Sequence, residues 1–74
     1  MSLGTRIASM RGYRRMTQEQ LGGLVGVSKQ TISTWEHDRS KPDANDIVAM
    51  CLAMRCTSDY LLGLVDEPTD HVKW

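Results

Sequence analysis

The chain has 74 residues, of which 41% are hydrophobic and 24% are charged, with nine basic and nine acidic side chains. This length is that of one small domain, which buries only about 60% of its unfolded surface. No apolar run approaches the roughly 18 residues of a membrane span, and the first residues lack the apolar stretch of a secretory signal. Without phenylalanine the core must be aliphatic and rich in Met, which favours packed short helices. The sequence therefore predicts a soluble cytoplasmic protein.

The two halves of the chain differ in charge. Residues 1–41 carry seven basic and three acidic side chains, whereas residues 42–74 carry two basic and six acidic ones. A half that is rich in basic side chains is typical of a protein that binds phosphate through that half. The alternative is that both halves form ordinary solvent-exposed surfaces. Charge alone therefore does not decide whether nucleic acid is the partner.

Capping residues and helical periodicity predict five helices and no strand. Leu3, Ile7 and Met10 lie at helical spacing, for example, and residues 17–20 have the capping-box pattern. The predicted helices span about 3–14, 17–25, 28–36, 43–54 and 57–63, and the polar loop 37–42 follows the third. Residues 1–65 are predicted to form the domain. Residues 66–74 are predicted to be a flexible tail, because they lack periodicity and contain Pro68.

Residues 18–36 have the spacing of two helices joined by a short turn. Gly22 lies where crossing helices need a small side chain, and Gly26 lies where the turn needs a residue free to take positive φ. The apolar positions that would fix the angle between the helices are Leu21, Val25, Val27, Ile32 and Trp35. Each of these residues lies at a position that a helix-turn-helix requires, so the pattern predicts that motif. The alternative interpretation is an ordinary hairpin of two helices. The pattern gives Gly23 no role.

The chain resembles the phage repressor and Cro class of helix-turn-helix proteins, also called the XRE-type family. The resemblance rests on residues 16–21, 25–33, 35–36, 41–42 and 59–63, and it covers roughly residues 3–64. It implies an all-α, lambda-repressor-like fold, a compact bundle of five short helices. It also implies a phage or bacterial transcription regulator, foremost a Cro-like or prophage-type repressor, whose partner is double-stranded DNA.

The start of the third helix would point into the major groove of DNA. Lys29 and Gln30 are long donors at that end; Gln can bond adenine N6 and N7, and Lys can reach guanine O6 and N7. We therefore predict that these two read bases, and that Ser28, Thr31 and Thr34 touch bases or nearby phosphates. An exposed polar face without a partner is the alternative, although three hydroxyl residues of modest helix propensity are not favoured by solvation alone.

Phosphate contacts would position the domain rather than select a sequence. By the resemblance, Gln18 at the start of the second helix bonds a phosphate, where free N–H groups and the helix dipole favour an anion. Arg39, Ser40 and Lys41 in the loop after the third helix should contact the DNA backbone on its other side.

The resemblance also implies an internal ion pair between Arg11 on the first helix and Glu36 at the end of the third. This pair would fix the recognition helix against the first helix. Many members of the family have glycine at the positions of Arg15, Asp38 and Arg55. Because Arg takes positive φ at a cost of roughly 1 kcal/mol, these loops are expected to be shaped differently.

Some residues have no assigned contact in the sequence pattern. Arg14 and Arg15 either add attraction for DNA or are plain solvated charges.

Cys51 and Cys56, five residues apart, would lie about 140° apart on one helix, so they are predicted to be small buried groups that do not face one another and form no disulfide. They have no recognisable zinc-site spacing with the two histidines. No catalytic set is visible, so we expect neither an enzyme nor a cofactor or metal.

A symmetric dimer would read two half-sites about one helical turn apart, which predicts a palindromic operator. By the resemblance, the dimer contact involves Pro42, Ala44, Leu62, Leu64 and Val65. Two other functions stay open on the sequence: the DNA-binding part of a longer regulator or antitoxin, and a protein-interaction module on the same fold.

Overall fold

Each helix in the part of the chain that the structure describes, residues 2–67, begins at a capping side chain. In this computed structural model the helices are α1 (Leu3–Tyr13), α2 (Gln18–Val25), α3 (Lys29–Glu36), α4 (Ala44–Met54) and α5 (Ser58–Leu61). The predicted all-α bundle of five helices is confirmed. Residues 68–74 of the predicted tail lie outside the described residues.

The caps explain why the helices start where they do. Thr17 and Asp43 complete capping boxes with the residue three positions on, and Ser28 and Thr57 each accept a hydrogen bond from a main-chain N–H three positions on. Ser2, which the sequence pattern did not single out, caps α1 in the same way. Each cap contributes about 1 kcal/mol by satisfying an N–H group that the helix leaves unpaired.

The core is aliphatic and sulphur-containing, as the composition predicts. Seven of its side chains have no exposed surface, and Trp35, Cys56 and Tyr60 are nearly as well buried. Helix α2 packs on α3 and α4, while α1 packs on α3 and α5. The fully enclosed side chains without a ring or thiol are Ile7, Met10, Leu21, Ile32, Met50, Met54 and Leu61.

The turn between α2 and α3 has the geometry that its glycines predict. Gly26 has φ 88°, and a Cβ on Gly22 would lie 2.6 Å from the carbonyl oxygen of Val27, so the backbones are too close for any side chain. A Cβ on Gly23 would meet nothing within 4 Å, so packing gives no reason for that glycine. Of the two glycines, only Gly22 lies where the close approach of the backbones excludes a side chain.

The prediction that the three glycine-replaced loops are shaped differently is wrong. Arg15, Asp38 and Arg55 have φ values of 58°, 58° and 53°, in the left-handed region that Gly26 and Gly63 also occupy. Each is followed by a residue whose N–H bonds the carbonyl five positions back, at 3.0 to 3.1 Å. This closure satisfies a carbonyl at the end of the helix, which offsets the roughly 1–2 kcal/mol that a left-handed non-glycine residue costs.

One part of the prediction for the cysteines is wrong, namely that both lie on one helix. Helix α4 ends at Met54, and the left-handed Arg55 turns the chain, so Cys56 does not continue the helical spiral. Its N–H bonds the carbonyl of Cys51 at 3.1 Å, which brings the two cysteines together at the end of the helix. Cys56 is buried as predicted, whereas Cys51 is half-buried; both are free thiols.

Within residues 2–67, no helix combines the length and the apolar character that crossing a membrane requires.

Candidate nucleic-acid interface

Helix α3 has one buried and one exposed side. Ile32, Trp35 and Glu36 are buried against the rest of the bundle, whereas Lys29 and Gln30 in its first turn are exposed. The buried side fixes the helix, and the first turn is left open to a partner. The two residues predicted to read bases therefore lie on accessible surface at the start of the helix.

The hydroxyl groups on the same helix are partly occupied by the helix itself. The Ser28 Oγ accepts from the N–H of Thr31 at 3.1 Å and lies 3.0 Å from the Thr31 Oγ1. The Thr34 hydroxyl donates to the carbonyl of Gln30 at 2.8 Å, so its oxygen is left to act as an acceptor. Lys29 and Gln30 are therefore the long donors that this surface offers to an acceptor outside the chain.

An ion pair on the buried side of α3 holds this helix against α1. The Arg11 Nε lies 2.7 Å from the Glu36 Oε2, and the Arg11 Nη2 donates to the Glu36 Oε1 at 3.1 Å, which is the two-pronged geometry of a strong Arg–carboxylate pair. The Glu36 side chain is only 6% exposed. The pair expected from the resemblance is thus present, and its hydrogen bond holds the pKa of Arg11 above its usual value.

Gln18 joins this cluster. Its Nε2 donates to the Glu36 Oε1 at 2.9 Å, so one of its two amide hydrogens is directed into the protein. The Arg11 Nη1 also donates to the carbonyl of Met16 at 2.8 Å. One carboxylate therefore ties together α1, the start of α2 and the end of α3, and it fixes the residue predicted to contact phosphate.

The loop after α3 is anchored to the start of α1. Arg39, Ser40 and Lys41 are exposed on this loop, as a phosphate-contacting role requires. Hydrogen bonds from the Ser2 hydroxyl and from the Gly4 N–H, the latter at 2.9 Å, hold the pKa of Asp38 below its usual value. The left-handed Asp38 thus both turns the chain and fixes the base of the loop.

Gly4, for which no role was predicted, makes this anchoring possible. A Cβ on Gly4 would lie 2.5 Å from the carbonyl oxygens of both Trp35 and Glu36. The start of α1 therefore lies directly against the end of α3. The missed signal was a glycine inside the first predicted helix, where a residue of low helix propensity needs a packing reason.

Arg6 is a second residue for which no role was predicted. Its guanidinium is buried, and its Nη1 donates to the carbonyls of Tyr60 and Val65 at 3.2 and 3.0 Å. It also lies 5.2 Å from the centre of the Tyr60 ring, a cation–π distance. Its 3.5 Å contact with Asp66 adds little, because that carboxylate is 98% exposed. Arg6 therefore holds the segment after α5 against α1.

The alternative that Arg14 is a plain solvated charge is wrong. Its Nε donates to the carbonyl of Met54 at 2.7 Å, and its Nη2 donates to the carbonyl of Arg55 at 2.9 Å. The guanidinium thus closes the end of α4. Arg15 is exposed and stays a candidate for attraction to DNA.

The surface formed by exposed basic side chains is consequently smaller than the number of basic residues in the first half of the chain implies. Arg6, Arg11 and Arg14 all contact groups within the protein. The exposed basic side chains of the first half are Arg15, Lys29, Arg39 and Lys41. The last three lie at the start of α3 or just after its end, so the positive charge is concentrated around one helix.

The residues predicted to form a dimer contact are mostly accessible. Leu62, Leu64 and Val65 are 57%, 74% and 39% exposed, which is unusual for three apolar residues within a four-residue segment of a small protein. Ala44 is exposed and Pro42 is half-buried at the start of α4.

These features together define a helix-turn-helix domain of the lambda-repressor-like class: five short helices, a left-handed glycine between α2 and α3, and an exposed polar start of α3. The chain belongs to the helix-turn-helix domain family, whose signature matches residues 2–64. It is thus a helix-turn-helix domain related to phage repressors and other transcriptional regulators, and these relatives are not enzymes.

Three relatives illustrate the relationship. The chain is 38% identical over 60 residues to the repressor protein C2 of Salmonella phage P22, covering 81% of this chain and 28% of that protein. It is 29% identical over 68 residues to YobD, an uncharacterised helix-turn-helix-type transcriptional regulator of Bacillus subtilis, covering 92% of this chain and 61% of that one. The regulator ImmR of the same organism is 29% identical over 63 residues, covering 85% and 50%. The chain thus spans between about a quarter and three fifths of these relatives.

The fold is also shared with solved structures. A crystal structure of the P22 c2 repressor in complex with a synthetic operator has a TM-score of 0.80 and 37% identity, covering 84% of this chain and 94% of that one. The solution structure of the DNA-binding domain of the same repressor has a TM-score of 0.79 and 36% identity, covering 82% and 80%.

Proposed function

We propose that this chain represses transcription in the cytoplasm by binding a palindromic operator as a homodimer, with α3 in the major groove. The observation that carries the proposal is the exposed first turn of α3, bearing Lys29 and Gln30, on a braced helix. The P22 c2 repressor shares this fold and has been solved with operator DNA, which supports the same mode of binding here.

In this proposal, different side chains of α3 contact different bases. Gln30 bonds adenine N6 and N7 as donor and acceptor, and Lys29 donates to guanine O6 and N7. Thr34 offers an acceptor oxygen, because its hydrogen is given to the carbonyl of Gln30. Ser28 and Thr31 lie at the cap, where they contact a base edge or the adjacent phosphate.

The phosphate contacts flank the helix in this arrangement. Gln18 donates its second amide hydrogen on one side, while Arg39, Ser40 and Lys41 contact the DNA backbone on the other. The hydrogen bonds of Asp38 support this role, because an anchored loop loses less conformational freedom when it binds. Affinity should therefore fall steeply as salt is raised.

The dimer contact is proposed to involve Leu62, Leu64 and Val65, together with Pro42 and Ala44. The support is their exposed apolar surface and the two hydrogen bonds by which Arg6 holds the segment after α5 in place. A dimer of this kind would set the spacing of two α3 helices, and hence the spacing of the operator half-sites.

The decisive experiment selects binding sites from random duplex DNA and then measures variants on the selected site. Gln30→Ala should weaken binding by about 1–3 kcal/mol and relax the preference at one base pair per half-site. Arg39→Ala is the matched comparison: it should weaken binding to all sequences alike and lower the salt slope by about one. A Gln30→Ala protein that binds the selected site like the parent would refute the assignment of base readers.

Two further outcomes separate the alternatives. A folded chain without salt-sensitive binding to any duplex would overturn the repressor proposal in favour of a protein-interaction module. The homodimer is tested with Leu64→Asp, which should lower affinity for a full palindrome while binding to a single half-site is kept. Equal loss on both DNAs, or no loss on either, would contradict the proposed interface.

A further inference from the structure

The end of α4 brings two cysteines together at a fixed turn. The N–H of Arg55 and the N–H of Cys56 both bond the carbonyl of Cys51, the latter at 3.1 Å, and Arg55 is left-handed with φ 53°. In a helix ending of this kind, the side chain two positions past the last helical residue contacts the side chain in the last turn. Cys56 and Cys51 occupy these two positions, so the turn places the two cysteines next to one another.

The turn is also held from outside. The Arg14 guanidinium donates to the carbonyls of Met54, the last residue of the helix, and of Arg55, the residue between the helix and Cys56. The turn is thus fixed in the reduced protein by contacts that involve neither sulphur. A disulfide forms readily only where the two Cα atoms are already within about 7 Å and the side chains point at each other.

The two thiols differ in access and in reactivity. Cys56 is 1% exposed, whereas Cys51 is half-buried, so Cys51 is the more accessible of the two. The hydrogen bond between them lowers the pKa of the Cys51 thiol, while the same bond and burial raise the pKa of Cys56. Because the thiolate is the form that reacts with an oxidant, Cys51 is the thiol that reacts first and Cys56 the thiol that resolves the product.

We propose that Cys51 and Cys56 form a thiol-oxidation site that a small hydroperoxide converts to an intramolecular disulfide. The Cys51 thiolate attacks the outer peroxide oxygen, the O–O bond breaks, and the leaving alkoxide or hydroxide takes up a proton. The sulphur of Cys56 then attacks the sulphur of the resulting sulfenic acid; the S–O bond breaks, and the hydroxyl leaves as water with the proton of Cys56. Two electrons pass from the two sulphurs to the peroxide.

This site is separate from the proposed DNA surface. It lies at the end of α4, in the turn that leads into α5, whereas Lys29 and Gln30 lie at the start of α3. The proposal therefore does not rest on the DNA-binding proposal, and it can be tested on the reduced full chain without DNA.

The test treats the reduced protein with hydrogen peroxide and follows mass, free thiols and peptide linkage. The expected product is a monomer lighter by two hydrogen atoms, without free thiol, with a peptide that joins Cys51 to Cys56, and it should revert with dithiothreitol. A product with oxygen atoms added to both cysteines, a disulfide between two chains, or two thiols that persist would overturn the proposal.

Two serine variants, checked for folding by circular dichroism, fix the order of the steps. Cys56→Ser should stop at a Cys51 sulfenic acid that dimedone traps, and then take up further oxygen. Cys51→Ser should leave Cys56 unoxidised under the same conditions. Faster oxidation of Cys56 in Cys51→Ser than of Cys51 in Cys56→Ser would contradict the assigned roles.

Discussion

The recognition region, residues 17–36, and the C-terminal region, residues 43–67, are fixed to α1 by different kinds of contact. Arg11 fixes the recognition region through a carboxylate, that of Glu36. Arg6 and Arg14 fix the C-terminal region through main-chain carbonyls, two for each guanidinium. A charged pair can be predicted from the sequence, because both partners are charged residues. A main-chain carbonyl partner cannot be predicted in this way, because every residue has a carbonyl.

The largest test of this comparison removes Arg11. Arg11→Ala should lower the free energy of unfolding by about 3–5 kcal/mol, because the buried Glu36 carboxylate loses its counter-charge. Urea unfolding measures the change. The double variant Arg11→Ala/Glu36→Ala should recover part of the loss, and a double variant as unstable as the sum of the two singles would contradict a coupled pair.

The next test concerns Arg6. Arg6→Met keeps the length of the side chain and removes the donors to Tyr60 and Val65, so the free energy of unfolding should fall by about 1–3 kcal/mol. It should also weaken binding to a full palindrome more than to a half-site, since the proposed dimer segment is loosened. Urea unfolding and titrations on the two DNAs give these quantities. An equal effect on both DNAs would separate Arg6 from dimerisation.

Two neighbouring glycines provide a matched pair within the recognition region. Gly22→Ala places a Cβ 2.6 Å from the carbonyl oxygen of Val27 and should destabilise the fold by about 1–3 kcal/mol. Gly23→Ala adds a Cβ in open space and should stabilise the fold by about 0.5–1 kcal/mol. Thermal unfolding checks both signs. A destabilised Gly23→Ala would indicate a packing role that the structure lacks.

The smallest expected effect is the pH dependence of Asp38. Its pKa is lowered on folding by the hydrogen bonds from Ser2 and Gly4, so its carboxylate stabilises the fold above its unfolded pKa of about 3.9. That contribution is lost as pH falls through the lower, folded value. Asp38→Asn, which also tolerates the left-handed conformation, should be less stable at neutral pH and converge with the parent in acid. Parallel stability curves would contradict this account.

The helix starts and the α2–α3 turn were predictable because their causes are local. The caps at Thr17, Ser28 and Asp43 satisfy main-chain groups within four residues, and Gly26 takes a backbone angle that its own chemistry permits. The pairing of Arg11 with Glu36 followed from the family resemblance. Its third partner, Gln18, was expected only at a phosphate, because a shared carboxylate oxygen depends on how three segments meet.

The errors were all at helix ends. Because Arg15, Asp38 and Arg55 stand where many family members have glycine, a different loop shape was predicted. These residues nevertheless take positive φ, which allows the following N–H to bond a carbonyl at the end of the helix. That turn also brought Cys56 back onto Cys51.

From its sequence alone, this protein was determined to be a five-helix bundle with a helix-turn-helix and an exposed polar start to its third helix, because capping, periodicity and glycine act over a few residues. Only the tertiary structure decided where the guanidinium groups of Arg6 and Arg14 lie and how the two cysteines meet. Main-chain carbonyls become specific partners only when distant segments bring them within hydrogen-bonding distance.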